Sequence, residues 1–396
     1  MNILICKQGI FGGTDNLLER YYVWLQKENI NTGIADCRNG IYPPKKLKYD
    51  LALIPSSQMG DLFLLKKMGY QIERMLVWIL GMGAFRDSYY NPCKNGNLIE
   101  KYLKYYLSKK ANNALKCIWM SNSIIFTDEV GAYNTFRSEK IDYESRINDI
   151  LIPIAISVPD RLLKDNYPND KQVLRLSWVG RVSNDFKKIP IKHIIDDIDN
   201  YVEKSGIDIS LTIVGDGDAL AEIKEYSKKR NYHINFISDI PYNKLSEFIA
   251  TQADLLIAMG TSALDGAKTG CPTIVINPIR DADPDEVYYR WIHESKGYSL
   301  GEFPGIGIWQ EKKTFGQIMR EYFEIENLNL KVYEYAKLFE SNHVFHKLNG
   351  RTLPDKINED MWKHLRFFYR LVETKKRIKR ILTENTGRKH NYDNAK

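Results

Sequence analysis

Several absences narrow the reading before any motif is considered. No histidine precedes His193; all seven (His193, His233, His293, His343, His346, His364 and His390) follow the polar stretch at 161–171, and the half of the chain before that stretch has none. A histidine base or metal ligand from the first half is therefore excluded. Cysteine is sparse: Cys6, Cys37, Cys93, Cys117 and Cys271 are odd in number and widely scattered. With no CxxC pair and no His/Cys cluster, neither a disulfide framework nor a structural zinc site is expected, and the thiols read as reduced, in a cytoplasm. No apolar run approaches the roughly 20 residues of a membrane span. The opening residues, MNILICKQGIFGG, lack a basic leader and read at once as a strand, so no signal peptide is expected. The GxGxxG dinucleotide fingerprint is also missing.

What is present describes a soluble globular chain. Its 396 residues suffice for two α/β domains, and 43% hydrophobic with 27% charged residues is ordinary for such domains. The net charge of +7 is concentrated: residues 361–396 hold eleven Lys and Arg against three acids, which accounts for the whole excess. Such a tail reads as a solvated end. Trp362, Leu365, Phe367, Phe368, Leu371 and Val372 lie among its charges, a mixture that also suits an anionic membrane surface. The stretch Asn97 to Lys116 repeats the theme, with Lys101, Lys104, Lys109, Lys110 and Lys116 beside Tyr102, Leu103, Tyr105, Tyr106 and Leu107. No nucleic-acid-binding motif accompanies the charge, so nucleic acid is not an expected partner.

The most informative stretch is ADLLIAMGTSALDGAKTGCPTIVINP, residues 253–278. Leu255 to Ala258 reads as a buried parallel strand, Gly260-Thr261-Ser262 as a tight turn, and the pattern from Ala263 as a helix. Gly270-Cys271-Pro272 stops that helix before a second strand, Thr273 to Ile276. A helix N-terminus in such a unit suits a phosphate. Asp265 is expected in its first turn, to cap backbone donors or reach a ribose hydroxyl; an ordinary βαβ unit with a Ser/Asp cap is the plainer reading.

Similar units occur along the chain. Asn2 to Cys6 reads as a strand, followed by Gly12-Gly13-Thr14 and a helix from Asp15 to Glu28; two adjacent glycines allow a ligand close to the backbone. Strands are expected over Thr32 to Ala35, Leu51 to Pro55, Met75 to Leu80 and Ser123 to Phe126. The polar segment Arg161 to Lys171 reads as a linker. A second series begins at Leu174 to Val179, ending in Gly180-Arg181, with Lys187 and Lys188 before a helix from Ile191 to Lys204. Ser210 to Val214 closes in Gly215-Asp216-Gly217, and Ile234 to Ile237 and Tyr242 to Thr251 are the next strand and helix. Two βαβ-rich halves imply two Rossmann-like domains facing a cleft, with ligands beyond the carboxyl ends of the strands.

Four segments, in order, resemble the nucleotide-binding domain of retaining GT-B glycosyltransferases, the large bacterial family (glycosyltransferase group 1) that supplies capsule, O-antigen and lipopolysaccharide enzymes. They are SWVGRVSNDFKK, LTIVGDGDAL, INFISDIPYNKLSEFIATQADLLI and ALDGAKTGCPTIVI; the last is similar to the family's LEAMAxGxPVI. FTDEVG and LIPIAI are similar to the end of the family's acceptor half. The resemblance implies a GT-B α/β fold: an acceptor-binding domain at 1–160, a nucleotide-sugar-binding domain at 172–350, and a C-terminal helix over 351–396 that crosses back to the first domain. It implies transfer of a hexose-type sugar, with retention, from a nucleoside-diphosphate donor such as a UDP-sugar to a lipid-linked surface glycan. The chain would then be cytoplasmic and peripheral on the inner face of the membrane.

Residue by residue, the resemblance implies that Arg181 and a following lysine, Lys188 first and Lys187 second, clamp the donor diphosphate. The physical sense is that cations neutralise charge building on the leaving group. Gly260, Thr261 and Ser262 would donate to the phosphates. Asp265 would stand for the family's ribose-binding glutamate, Ile240 would border the base, Gly215 would line the donor site, and Gly12 and Gly13 would approach the sugar-phosphate. No cofactor or metal is implied. Asp281-Ala282-Asp283 resembles a metal-binding DxD, but reads as a solvated loop. The chain departs from the family in lacking its first glutamate and its acceptor-domain histidine, where GMGAFR (81–86) stands instead. A nucleotide-sugar 2-epimerase of the same fold and a non-catalytic GT-B subunit binding a partner or lipid therefore stay open as alternatives.

Overall fold

A computed structural model describes residues 1–9, 13–44, 48–81, 85, 98–137, 141–164, 173–280, 286–305 and 312–393. The chain divides into two compact units. One comprises Met1–Thr127, Thr135–Ile152 and Leu348–Lys396; the other comprises Asp128–Asn134 and Pro153–Lys347. In chain order the elements begin with β1 (Asn2–Cys6), α1 (Gly13–Lys27), β2 (Asn31–Ala35), β3 (Lys48–Pro55), α2 (Met59–Lys67) and β4 (Gln71–Ile79). α3 (Leu98–Met120), β5 (Ile124–Phe126), α4 (Glu129–Phe136) and α5 (Ile147–Ile150) follow. Next come β6 (Leu174–Val179), α6 (Lys188–Ser205), β7 (Ile209–Val214), α7 (Leu220–Tyr226), β8 (His233–Ile237) and α8 (Tyr242–Gln252). β9 (Leu255–Ala258), α9 (Thr261–Ala267), β10 (Thr273–Ile276), β11 (Tyr289–Trp291), α10 (Phe315–Glu324), α11 (Leu328–Lys337), α12 (Ser341–Asn349) and α13 (Glu359–Asp393) complete the chain.

Each unit is built on one sheet. The first is five-stranded in the order β2-β1-β3-β4-β5, all parallel. The second runs β11-β10-β9-β6-β7-β8, parallel except for the antiparallel edge strand β11. Their inner strands carry continuous apolar runs, not alternation: LLIA in β9 and TIVI in β10 are buried throughout. Helices cover both faces of such sheets, so every side chain must be tolerated in a core. In the second unit the order reverses between β6 and β9, which creates a crevice at their carboxyl ends.

Local signals account for the helix ends. Gly206, at φ +68°, terminates α6, while Ile191, Ile194, Ile195 and Ile198 give that helix one buried face. Thr314 and Gln317 form a capping box at the start of α10. That helix, with α11, α12 and β11, lies in a region where the sequence reading assigned no element.

The C-terminal helix packs on the first unit, against α2 and α3. A β-carbon added at Gly60 of α2 would lie 2.8 Å from the Tyr369 Cα, so the two helices meet backbone to backbone. Met361, Leu365 and Phe368 are buried there, each contributing about 1.5–3 kcal/mol by its removal from water. Phe63 meets Tyr369 at 5.6 Å, and Lys66 sits 4.0 Å over the Trp362 ring. Trp362, Phe367, Leu371 and Val372 are half-buried. Of the tail residues that the sequence also allowed as a membrane face, Leu365 and Phe368 are thus packed against protein.

Candidate functional site

The carboxyl ends of β6 and β9 hold most of the residues singled out by sequence. After β6 the chain turns sharply at Gly180, whose N–H donates to Val214 O at 3.0 Å. The following loop is pressed against the loop after β7. A β-carbon at Gly215 (φ +145°) would lie 2.0 Å from the Gly180 carbonyl oxygen, a distance no side chain tolerates. Gly215, expected as a donor-site residue, thus has a packing role: it lets two backbone turns touch. Val182 N–H donates to Asp216 O at 2.9 Å, and Ala219 N–H to Val182 O at 3.0 Å, fixing the contact.

The fixed turn presents its cations differently. Arg181 is 70% exposed, its guanidinium 3.9 Å from the Asp185 carboxylate. Asp185 itself accepts from Ser183 Oγ at 2.5 Å and from the Phe186 N–H at 2.7 Å. Lys187 is buried, and its Nζ lies 3.3 Å from the point a Gly180 β-carbon would occupy. Ser262 Oγ, from the first turn of α9, lies 3.7 Å from that same point. An ammonium and a hydroxyl therefore converge on one glycine at the strand-order reversal. Burial pushes the Lys187 ammonium down to about 8; the Arg181 charge adds to the shift and Asp185 offsets it.

Lys188 does not share this position. Its Nζ lies 3.6 Å from Glu222 of α7, beside the 2.6 Å Lys192–Glu222 pair. The physical reason is helical phase: α6 begins at Lys188, and consecutive residues there point about 100° apart. Of the two lysines expected to follow Arg181, it is Lys187 that stands beside Gly180, while Lys188 is turned to Glu222.

Gly260 caps α9, its N–H donating to Leu300 O at 2.7 Å, and space beyond its Cα is open. Thr261 is exposed and Ser262 half-buried. Asp265 departs from expectation: α9 starts at Thr261, so Asp265 falls beyond the first turn and caps no amide there. It is buried and paired with Lys268 Nζ at 2.6 Å. Lys268 in turn lies 5.1 Å from the ring centroid of Tyr242, the exposed first residue of α8. Ile240, two residues earlier, packs half-buried against the core. Lys268 and Tyr242 were missed in the sequence; a lysine three residues after an aspartate on a helix was the readable signal. Arg280 was missed too. It lies 3.7 Å over the Phe303 ring, which meets Phe186, the neighbour of Lys187, edge-on at 5.9 Å.

The AD pair before β9 has a structural role at the opposite, amino end of the strands. Asp254 is fully buried and takes two hydrogen bonds from the Arg175 guanidinium, at 2.9 and 3.1 Å, with Lys164 3.6 Å away.

In the first unit the turn after β1 is held by side chains. Gln8 N–H donates to Asp15 Oδ1 at 2.7 Å, and Gln8 Nε2 to Ser57 Oγ at 2.8 Å. Gly13 opens α1 with nothing within 4 Å of a notional β-carbon. Gly12 and the Asp281-Ala282-Asp283 segment lie outside the described residues. Of GMGAFR only Gly81 and Phe85 are described, and Phe85 is a core residue whose N–H donates to Thr135 Oγ1. Among the described residues no group of three or more His, Cys, Asp and Glu could hold a metal ion.

No known family profile matches the sequence, and no curated protein matches it. Solved structures do. A lipopolysaccharide outer core galactosyltransferase, WaaB in its apo form, is similar with a TM-score of 0.50 and 12% identity, covering 88% of this chain and 98% of its own. An alpha-glucosyltransferase in complex with UDP and a 13-mer DNA scores 0.46 at 11% identity, covering 88% of this chain and 97% of its own. The MurG of Acinetobacter baumannii scores 0.37 at 9% identity, covering 88% and 98%. The likeness to the galactosyltransferase carries the argument, and it concerns the fold: this chain has the GT-B fold, with two Rossmann-like domains.

Proposed function

We propose that this GT-B protein is a glycosyltransferase that moves a sugar from a nucleoside-diphosphate donor to a glycan acceptor. The observation that carries the reading is the convergence of Lys187 Nζ and Ser262 Oγ on Gly180 at the carboxyl ends of β6 and β9. When the bond between the anomeric carbon and the β-phosphate oxygen breaks, negative charge builds on the departing diphosphate. A buried ammonium at that point stabilises the charge far more than a solvated one does. Arg181 supplies a second, mobile cation, and Thr261 and Ser262 supply hydroxyls and the first amides of α9. In this reading Lys187, not Lys188, is the clamp, and side chains perform the neutralisation without a metal.

The nucleoside end falls to Tyr242, Lys268 and Asp265. Tyr242 offers an exposed ring on which a base can stack. The Asp265–Lys268 pair offers both an acceptor and donors to ribose hydroxyls. The acceptor we assign is a lipid-linked glycan in bacterial surface polysaccharide synthesis, met at the inner face of the membrane, with retention at the anomeric carbon. No described helix is long and apolar enough to cross a membrane, so attachment in this reading is peripheral.

Thermal shift with UDP, GDP, ADP, CMP and their sugar conjugates tests the donor site. A ligand at about 100 times its dissociation constant adds about 2.7 kcal/mol. One diphosphate should stabilise the wild type and the Lys188→Ala variant, but not Lys187→Ala. Stabilisation that survives Lys187→Ala and fails in Lys188→Ala would overturn the assignment, and no shift with any nucleotide would overturn the donor reading itself.

A further inference from the structure

α3 is apolar on two opposite faces. Leu107, Ala111, Ala114, Leu115 and Ile118 are buried and hold it to the first unit. On the other side Tyr102 is 72%, Tyr105 64% and Met120 80% exposed. The 3.6-residue repeat places these three, with Tyr106, Lys109 and Lys116, along one face. A solvated helix face of this size is normally polar. Tyrosines interleaved with lysines are the composition of a surface at the lipid headgroup boundary, where the ring is buried and the hydroxyl and ammonium stay wet.

We propose that this face of α3 docks the protein on an anionic lipid bilayer. Charge complementarity selects that partner: the 23-residue helix has five lysines and one acid, Glu100. Lys101 and Lys109 are exposed beside the tyrosines, and Lys110 lies 5.6 Å over the Tyr106 ring. α13 packs on α3, with Phe367 edge-on to Tyr106 at 6.4 Å, and it adds Lys375, Lys376 and Arg377, all exposed. In this arrangement α3 supplies the inserted rings and α13 supplies charge, its Met361, Leu365 and Phe368 being packed against protein. The lysines draw the helix to the surface and the rings hold it there, each basic residue near the bilayer adding to the attraction. The inference names the partner that the membrane-borne acceptor of the preceding section requires, yet its observations are those of α3 and α13 and none comes from the donor site.

Flotation of the full chain with vesicles tests it, with no nucleotide or acceptor present, so failure here leaves the donor reading untouched. The chain should float with equimolar phosphatidylglycerol and phosphatidylcholine, and not with phosphatidylcholine alone. Tyr102→Ser/Tyr105→Ser should weaken binding by more than about tenfold with an unchanged melting temperature, since both side chains are exposed. Lys101→Glu/Lys109→Glu should do the same, and Lys375→Ser/Lys376→Ser/Arg377→Ser should cost less. Binding unaffected by the tyrosine double variant, or equal on neutral vesicles, would overturn the proposal. So would a tyrosine variant that turns a dimer into a monomer without changing flotation, since the face would then belong to a second copy of the chain.

Discussion

The two sheets finish their carboxyl edges with different materials. In the six-stranded sheet the turns after β6 and β7 are pressed backbone to backbone, with room only for hydrogen at Gly215. In the five-stranded sheet the turn after β1 is tied by side chains, Gln8 to Ser57 and Asp15 to the Gln8 amide. The first arrangement admits one residue type. The second also holds a left-handed glycine, Gly9 at φ +67°, but there an added β-carbon would meet side-chain atoms of Asp36 and Arg38, which can shift more readily than backbone. A backbone constraint leaves a spacing in the sequence, and a side-chain constraint leaves little.

The largest effect is expected where the second sheet buries charge. Asp254→Ala leaves the Arg175 guanidinium and Lys164 without their carboxylate, and should cost about 3–5 kcal/mol in urea unfolding. A loss below 1 kcal/mol would mean the pair is not a structural fixture of that sheet. Next comes the contrast between the edges. Gly215→Ala should cost about 3 kcal/mol, because the turn must open or strain, while Gln8→Ala should cost about 1 kcal/mol. Equal losses would erase the distinction drawn between the two edges.

The smallest effect is a pH slope. An unfolded lysine keeps its proton to its ordinary value of 10.5, whereas folded Lys187 releases it near 8. Between those values the unfolded chain holds more protons, so the stability of the unliganded protein should rise with pH across that window. Diphosphate binding should fall across the same window as the ammonium is lost. Both slopes should flatten in Lys187→Met, and a wild-type stability that falls relative to the variant would contradict the burial of this lysine.

Legibility in the sequence followed the same division. The apolar runs of β6, β9 and β10 have the bounds expected from composition alone, since buried parallel strands admit little else. The glycine turns marked the carboxyl edge. Which of Lys187 and Lys188 lies beside Gly180 was not readable, because the sequence places the start of the helix near Ile191 and the chain enters it at Lys188. Asp265 is expected in a first turn for the same reason: the sequence places the helix start at Ala263, and the chain enters it two residues earlier, at Thr261. The helices α10 to α12 carry no ligand motif to draw attention, although Thr314 and Gln317 were a readable capping box. The tail's aromatics were ambiguous by composition; packing shows Phe368 buried, where Tyr102 and Tyr105 of α3 are exposed.

The approach of Gly60 to Tyr369 also bears on synthesis. The first unit draws on residues 1–127 and 135–152 and again on residues from 348 onward, with nearly all of the second unit translated in between. Met361, Leu365 and Phe368 reach the ribosome exit only after β6 through α12 have emerged. The unit that is begun first is therefore the one completed last, and until then the face of α2 around Gly60 waits uncovered, a surface for chaperones to hold.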